Sequence, residues 1–157
     1  MPEKELNPEF VKAARKVVSH TPYFKLLGLK LKELEVGRAQ FVMQARQKHM
    51  NLFFRVQGGA MASILDASCA WAVFSQLPDG SGVATVELKT SYADPGEAGQ
   101  ELVATAKTIK VGRRLGFVES RVHDQKSGRL LAFATATCAV IKVQPTSPLA
   151  GLPPKFL

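Results

Sequence analysis

Gln57-Gly58-Gly59-Ala60-Met61-Ala62-Ser63-Ile64-Leu65-Asp66-Ala67-Ser68-Cys69-Ala70-Trp71-Ala72-Val73-Phe74 is the stretch that decides the fold. From Gly58 through Leu77 the only charged residue is Asp66. Ala, Met and Leu are strong helix formers, so the run reads as a helix of about twenty residues, roughly 30 Å long. A helix apolar on nearly every side is either wrapped by protein or immersed in a membrane. Asp66 near its middle, and the lack of a Lys/Arg cluster at either end, argue against the membrane. The expectation is a central helix enclosed by a sheet. A lone carboxylate inside such a helix is costly unless paired, hydrated or used, which makes Asp66 the first candidate functional residue.

Outward from this helix, the N-terminal side begins with an amphipathic segment at 8–18. Asn7 is its cap and Pro8 its first residue. Phe10, Val11, Ala14, Val17 and Val18 form one stripe, with Lys12, Arg15 and Lys16 opposite. Thr21-Pro22 breaks it, and 22–27 forms one more turn before Gly28. Residues 29–36 alternate as a strand, Gly37-Arg38 turns, and 38–46 returns as a second strand. Residues 48–56 form a loop into the central helix, which Gly58-Gly59 opens. On the C-terminal side the period switches to two at 83–92, 101–111, 115–124 and 129–143. The breaks are Asp94-Pro95-Gly96, Gly112-Arg113-Arg114 and Lys126-Ser127-Gly128, each rich in turn residues. The Ala- and Thr-rich last strand suits close packing under a helix. Pro145, Pro148, Pro153 and Pro154 mark a partly ordered tail. The reading is an α+β domain, an antiparallel sheet curled round a long helix. It divides as an N-terminal helix at 1–21, the sheet-and-helix domain at 22–143, and a Pro-rich tail at 144–157.

Composition narrows the partners. A chain of 157 residues is one domain with a sizeable core. Its net charge of +8 suits an anionic partner such as nucleic acid, a membrane surface or a phosphorylated cofactor. Aromatic residues are not interleaved with the charges, and no nucleic-acid reading motif occurs, so nucleic acid is disfavoured. Cys69 and Cys138 lie in apolar segments and read as buried free thiols. The Met-Pro-Glu-Lys-Glu start has neither a signal region nor transit-peptide character, so the expected location is cytoplasmic. His20, His49 and His123 lack metal-ligand spacing and read as surface or turn residues. Ser63 and Ser68 lack a nucleophile-elbow pattern and read as packing residues.

The run of Asn51, Gln57-Gly58-Gly59 and Asp66, followed by Thr85-Val86-Glu87-Leu88 and Gly112-Arg113, resembles the hotdog-fold acyl-CoA thioesterases of the phenylacetate-degradation type. The likeness covers roughly 22–143, and the spacing of Asn51, the glycine pair and Asp66 is its specific part. It implies a sheet rolled round the central helix, subunits paired edge to edge as a dimer or a dimer of dimers (a homotetramer), and sites at the dimer interface. Asp66 would then match a carboxylate acting as general base or nucleophile on the thioester. Gly58 would match a backbone N–H donor to the thioester carbonyl, Asn51 a residue that polarises the carbonyl or places water, and Thr85 a hydroxyl that holds that water. Gln57 stands where many members carry His, and Phe54 where an Asn-x-x-Gly pattern puts Gly. The resemblance implies an acyl-CoA substrate, no metal and no redox cofactor.

The residues support this chemistry on their own terms. A helix N-terminus offers unpaired N–H groups and a positive dipole end to a developing oxyanion. Gly58 and Gly59 let a substrate carbonyl come close to the backbone. Asp66 lies two turns on and leans back toward that end, among the small neighbours Ala62, Ser63, Cys69 and Ala70. Lys107, Lys110, Arg113 and Arg114 are either solvated positions or holders of coenzyme A phosphates, with Arg113 and Arg114 the candidates for that role. Two readings of the same pocket stay open: hydrolysis of an acyl-CoA, or non-catalytic binding or sensing of one.

Overall fold

A computed structural model describes residues 4–157. The chain order is α1 (Pro8–His20), α2 (Pro22–Leu27), β1 (Leu29–Glu35), β2 (Arg38–Gln44), a short 3₁₀ turn (Gln47–His49), α3 (Gly58–Phe74), β3 (Ser81–Tyr92), β4 (Glu101–Val111), β5 (Leu115–Asp124), β6 (Leu130–Lys142) and a second 3₁₀ turn (Pro148–Gly151). The six strands form one antiparallel sheet in the order β1-β2-β4-β5-β6-β3. This is the expected α+β architecture, with the sheet packed round α3.

Local chemistry explains the boundaries. Asn7 caps α1 by accepting the Glu9 N–H at 3.0 Å, and Pro8 sits where a missing N–H costs nothing. Phe10, Ala14 and Val18 are the buried stripe. Gly28 ends α2 in the left-handed conformation, at φ 74°. The strand limits agree with the period-two reading to within two residues, except that α3 ends three residues before Leu77.

α3 is buried on most of its circumference, with Ile64, Leu65, Cys69, Ala72 and Val73 fully enclosed. Each large side chain so buried contributes about 1.5–3 kcal/mol. Small residues in the sheet let it approach: Ala104, Ala106, Ala132, Ala134 and Ala136 are all buried. Gly116 on β5 is the tightest point, since a Cβ there would lie 2.6 Å from a Val73 methyl. One stripe of α3 escapes the sheet. Gly59, Ala62, Ser63, Asp66 and Ala70 are its exposed or half-buried residues, together with Gly58 at the first turn.

The proline-rich tail departs from the expectation of partial order. It runs back along the molecule, where Leu6 bridges Phe156, and Asn7 N–H donates to Lys155 O at 2.9 Å. Lys155 is 1% exposed. Its Nζ donates to the carbonyls of Phe74 and Leu77, both at 2.8 Å, and stands 3.9 Å from the Phe74 ring centre. A cation at helix-terminal carbonyls satisfies both the orphan acceptors and the dipole. Proline content concealed this because it reports local stiffness, whereas the anchor is a single side chain reaching a distant helix end.

Burial pushes the Lys155 ammonium down to about 8 from the ordinary 10.5, with Asp79 pulling the other way. Between those values the unfolded chain holds a proton that the folded protein has released, so stability from this group rises with pH. The melting temperature of wild type is therefore expected to rise relative to that of Lys155→Met from pH 8 to pH 10.5. A fall of wild type relative to the variant across that window would contradict this account.

Candidate active site

The open stripe of α3 lies between α2 on one side and β3 on the other. Tyr23 of α2 bonds Ser63 hydroxyl to hydroxyl at 2.7 Å. From β3, Thr85 Oγ1 donates to Asp66 Oδ1 at 2.7 Å, and Tyr92 Oη donates to Gly58 O at 3.0 Å. Asp66 is half-buried and Thr85 exposed, on a strand with no further strand beside it among the described residues.

Thr85 and Tyr92 are seven positions apart, so a regular strand would send them to opposite faces. A β-bulge prevents that. Thr85 pairs with Cys138 and Glu87 with Thr137, which leaves Val86 as the extra residue. The bulge shifts the alternation by one. Thr85 before it and Tyr92 after it consequently both reach α3.

The helix start carries the second element. Among the described residues the N–H groups of Gly58 and Gly59 have no protein acceptor. A Cβ at Gly58 would lie 3.2 Å from the Tyr92 ring, whereas at Gly59 it would meet nothing within 4 Å. Glycine at 58 is therefore favoured by packing as well as by any substrate. Gln57 is exposed, and its side chain makes no cap bond to the helix. It shares an open cleft with Met50, Asn51, Leu52 and Phe53, of about 490 Å³.

Asn51 Oδ1 accepts from Phe53 N at 2.8 Å and Arg55 N at 3.1 Å. Its oxygen is thus committed to the loop, and its amide N–H groups have no protein acceptor among the described residues. Phe54, in the position where the resemblance puts Gly, has φ 58° and is the one non-glycine with positive φ among the described residues. That conformation costs a non-glycine residue about 1–2 kcal/mol. The fold therefore keeps the glycine-type backbone and sets a Phe on it, with 73% of its surface exposed.

Arg113 and Arg114 are exposed in the β4–β5 turn, where Arg114 O accepts from Val140 N at 2.8 Å. Gly116, Cys138 and Thr85 lie in one row across β5, β6 and β3. Gly116, two residues after Arg114, is thus two strands from Thr85, roughly 10 Å. The structure brings Asp66 and Thr85 into contact and sets Gly58 and Gly59 two turns up the same stripe. Gln57 and Asn51 follow beyond the helix start, and the arginines lie to one side.

Both cysteines are buried and free, as expected. Burial raises the Cys69 thiol far above its ordinary range, with Cys138 and Asp66 adding to the effect. Burial also raises Cys138, against a Thr85 hydrogen bond, and the Asp66 charge again adds. A thiol held neutral is a poor nucleophile, so neither cysteine is poised to attack as a thiolate.

His49 is the residue whose importance the sequence concealed. It sits in a turn, as expected, but is only 3% exposed. Its Nδ1 accepts from Arg46 N at 2.9 Å, and Nε2 donates to Leu27 O at 2.8 Å. Its own carbonyl takes the Gln57 N–H at 2.7 Å. His49 thereby ties α2 to the loop that aims the start of α3. No local spacing signals such a brace, because its three partners are far apart in sequence.

Comparison with known proteins agrees with this fold. Residues 55–131 match the family model of the thioesterase superfamily. The Caenorhabditis elegans esterase candidate F42H10.6 is 31% identical over 144 residues, which span 90% of this chain and 84% of that protein. Mouse acyl-coenzyme A thioesterase 13 is 28% identical over 90 residues, 57% of this chain and 64% of its own length. The Escherichia coli PaaI protein from the phenylacetic acid degradation operon has the same fold at a TM-score of 0.77 and 22% identity, covering 85% of this chain and 94% of that one. With its sheet rolled round α3 and a relative matched over most of both lengths, the chain belongs to the thioesterase superfamily, as a hotdog-fold thioester hydrolase.

Proposed function

We propose that the protein hydrolyses acyl-CoA thioesters, with Asp66 as general base or nucleophile. The observation that carries this is the Asp66–Thr85 pair at 2.7 Å on the open stripe of α3, two turns from the unpaired N–H groups of Gly58 and Gly59. The name of the mouse relative supports the CoA ester as substrate class.

In this reading the Gly58 N–H, with the free amide of Asn51, receives the thioester oxygen as it gains negative charge. Gly59 leaves the approach open, and Gln57 lines it. Thr85 spends its proton on Asp66 Oδ1, which leaves its oxygen to accept from a water and Asp66 Oδ2 to take that water's other proton. The water oxygen bonds to the acyl carbon, the C–S bond breaks, and the thiolate leaves with the proton that Asp66 collected. If Asp66 attacks directly, the same contacts serve an anhydride that water then opens. Arg113 and Arg114 would hold coenzyme A phosphates. The exposed β3 edge would pair with β3 of a second copy, closing the site with a partner subunit.

Asp66→Asn keeps the shape of the side chain but can neither take a proton nor attack. Its kcat is expected to fall by about 10²–10⁴ with KM and melting temperature little changed. A kcat within about threefold of wild type would remove Asp66 from the chemistry.

Replacing both Arg113 and Arg114 by Ala should raise KM more than it lowers kcat, because the phosphates do not change during reaction. The difference should shrink with added salt. An unchanged KM at low salt would leave the pair as a solvated turn.

Light scattering at micromolar concentration should give a dimer or a multiple of it. A fully active monomer would refute the shared site.

A further inference from the structure

A second concave site lies on a different side of α3. A cavity of about 580 Å³ is bounded by the end of α1, the start of α2, Trp71 of α3 and the Pro148–Gly151 turn. Trp71 is five residues past Asp66, roughly 140° round the helix. None of the residues assigned to thioester chemistry lines the cavity.

Its walls are apolar, made chiefly by Val17, Phe24, Trp71 and Leu149. Trp71 is held edge-on by Phe74, with ring centres 5.2 Å apart, so this wall is fixed by packing. The basic lining residues are Lys16 and His20, and no Asp or Glu lines the cavity. Lys16 forms no ion pair among the described residues. His20 Nδ1 bonds to the Lys16 carbonyl at 2.8 Å, which anchors the ring beside it. An apolar pocket of several hundred Å³ with a few polar groups has the dimensions of a small-molecule site. Unopposed positive charge on that lining selects a ligand with one anionic end.

We propose that this cavity binds a carboxylate with an apolar tail, of the medium-chain fatty-acid class. The tail lies against Trp71, Phe24 and Leu149, and the carboxylate meets the Lys16 ammonium. The proposal stands on the cavity alone and needs no role for Asp66. Thioester hydrolysis releases a carboxylic acid, so this ligand belongs to a class that the enzyme itself produces.

Trp71 is the one tryptophan of the chain, so its emission reports occupancy directly. Full-length protein is titrated with decanoate and, separately, with decanol, both below their aggregation limits. Decanoate should change Trp71 emission saturably, in wild type and in Asp66→Asn alike. Lys16→Ala should weaken decanoate by about three- to fivefold, the most an exposed ion pair supplies, and leave decanol unchanged. Val17→Phe and Leu149→Phe fill the cavity from α1 and from the Pro148–Gly151 turn, and whichever keeps the wild-type melting temperature should abolish the change. Absence of a saturable response to decanoate in wild type overturns the proposal. So does a response that survives the filling variants, or one that Lys16→Ala leaves untouched.

Discussion

A helix that is apolar round most of its circumference can be kept from water only by surrounding it, and α3 imposes that requirement on every other element. The six-stranded sheet meets it by curling, and the curl demands small residues where backbone and helix come closest. Gly116 against Val73 is the extreme case, and the buried alanines of β4 and β6 extend the same accommodation. A larger side chain at these points would hold the sheet off the helix and open voids along it. α1 closes part of the remainder through Phe10, Ala14 and Val18. What is left uncovered is a stripe of small residues around one carboxylate. The candidate site is therefore the part of α3 that the packing solution leaves exposed.

The two ends of α3 are treated in opposite ways. At the C-terminus the carbonyls of Phe74 and Leu77 are sealed by a buried ammonium brought from the tail. At the N-terminus the Gly58 and Gly59 N–H groups stay without protein acceptors, and His49 fixes their direction through the Gln57 N–H. The first N–H groups of a helix lack an intrahelical partner, and here they open on the same stripe as Asp66. In the proposed reaction they would receive the oxygen of the thioester carbonyl, which gains charge as the acyl carbon becomes tetrahedral. Phe54 shows the same priority, since its strained backbone is retained although no glycine relieves it.

The bulge at Val86 connects the sheet to this chemistry. Without it, the face of β3 that presents Thr85 to Asp66 would turn Tyr92 away from Gly58. With it, one strand supports both the carboxylate and the helix start, and Glu87 and Lys89 remain exposed. The bulge lies on the outermost strand, where an added residue disrupts only one ladder.

The sequence by itself determined the helix from its unbroken apolar run, the strands from period-two alternation, and the turns from glycine and proline chemistry. These are local signals, read within a few residues of one another. The spacing of Asn51, Gly58 and Asp66 was legible too, because helical geometry converts eight residues into two turns on one side. The resemblance already set Thr85 beside the carboxylate, but tertiary structure alone decided that Tyr92 of the same strand reaches Gly58, since the extra residue in β3 becomes visible only when β6 is laid beside it. Likewise it alone revealed the buried brace at His49, the anchor at Lys155 and the cavity beside Trp71. Each of these joins groups distant in sequence, and contacts of that kind exist only once the chain has closed on itself.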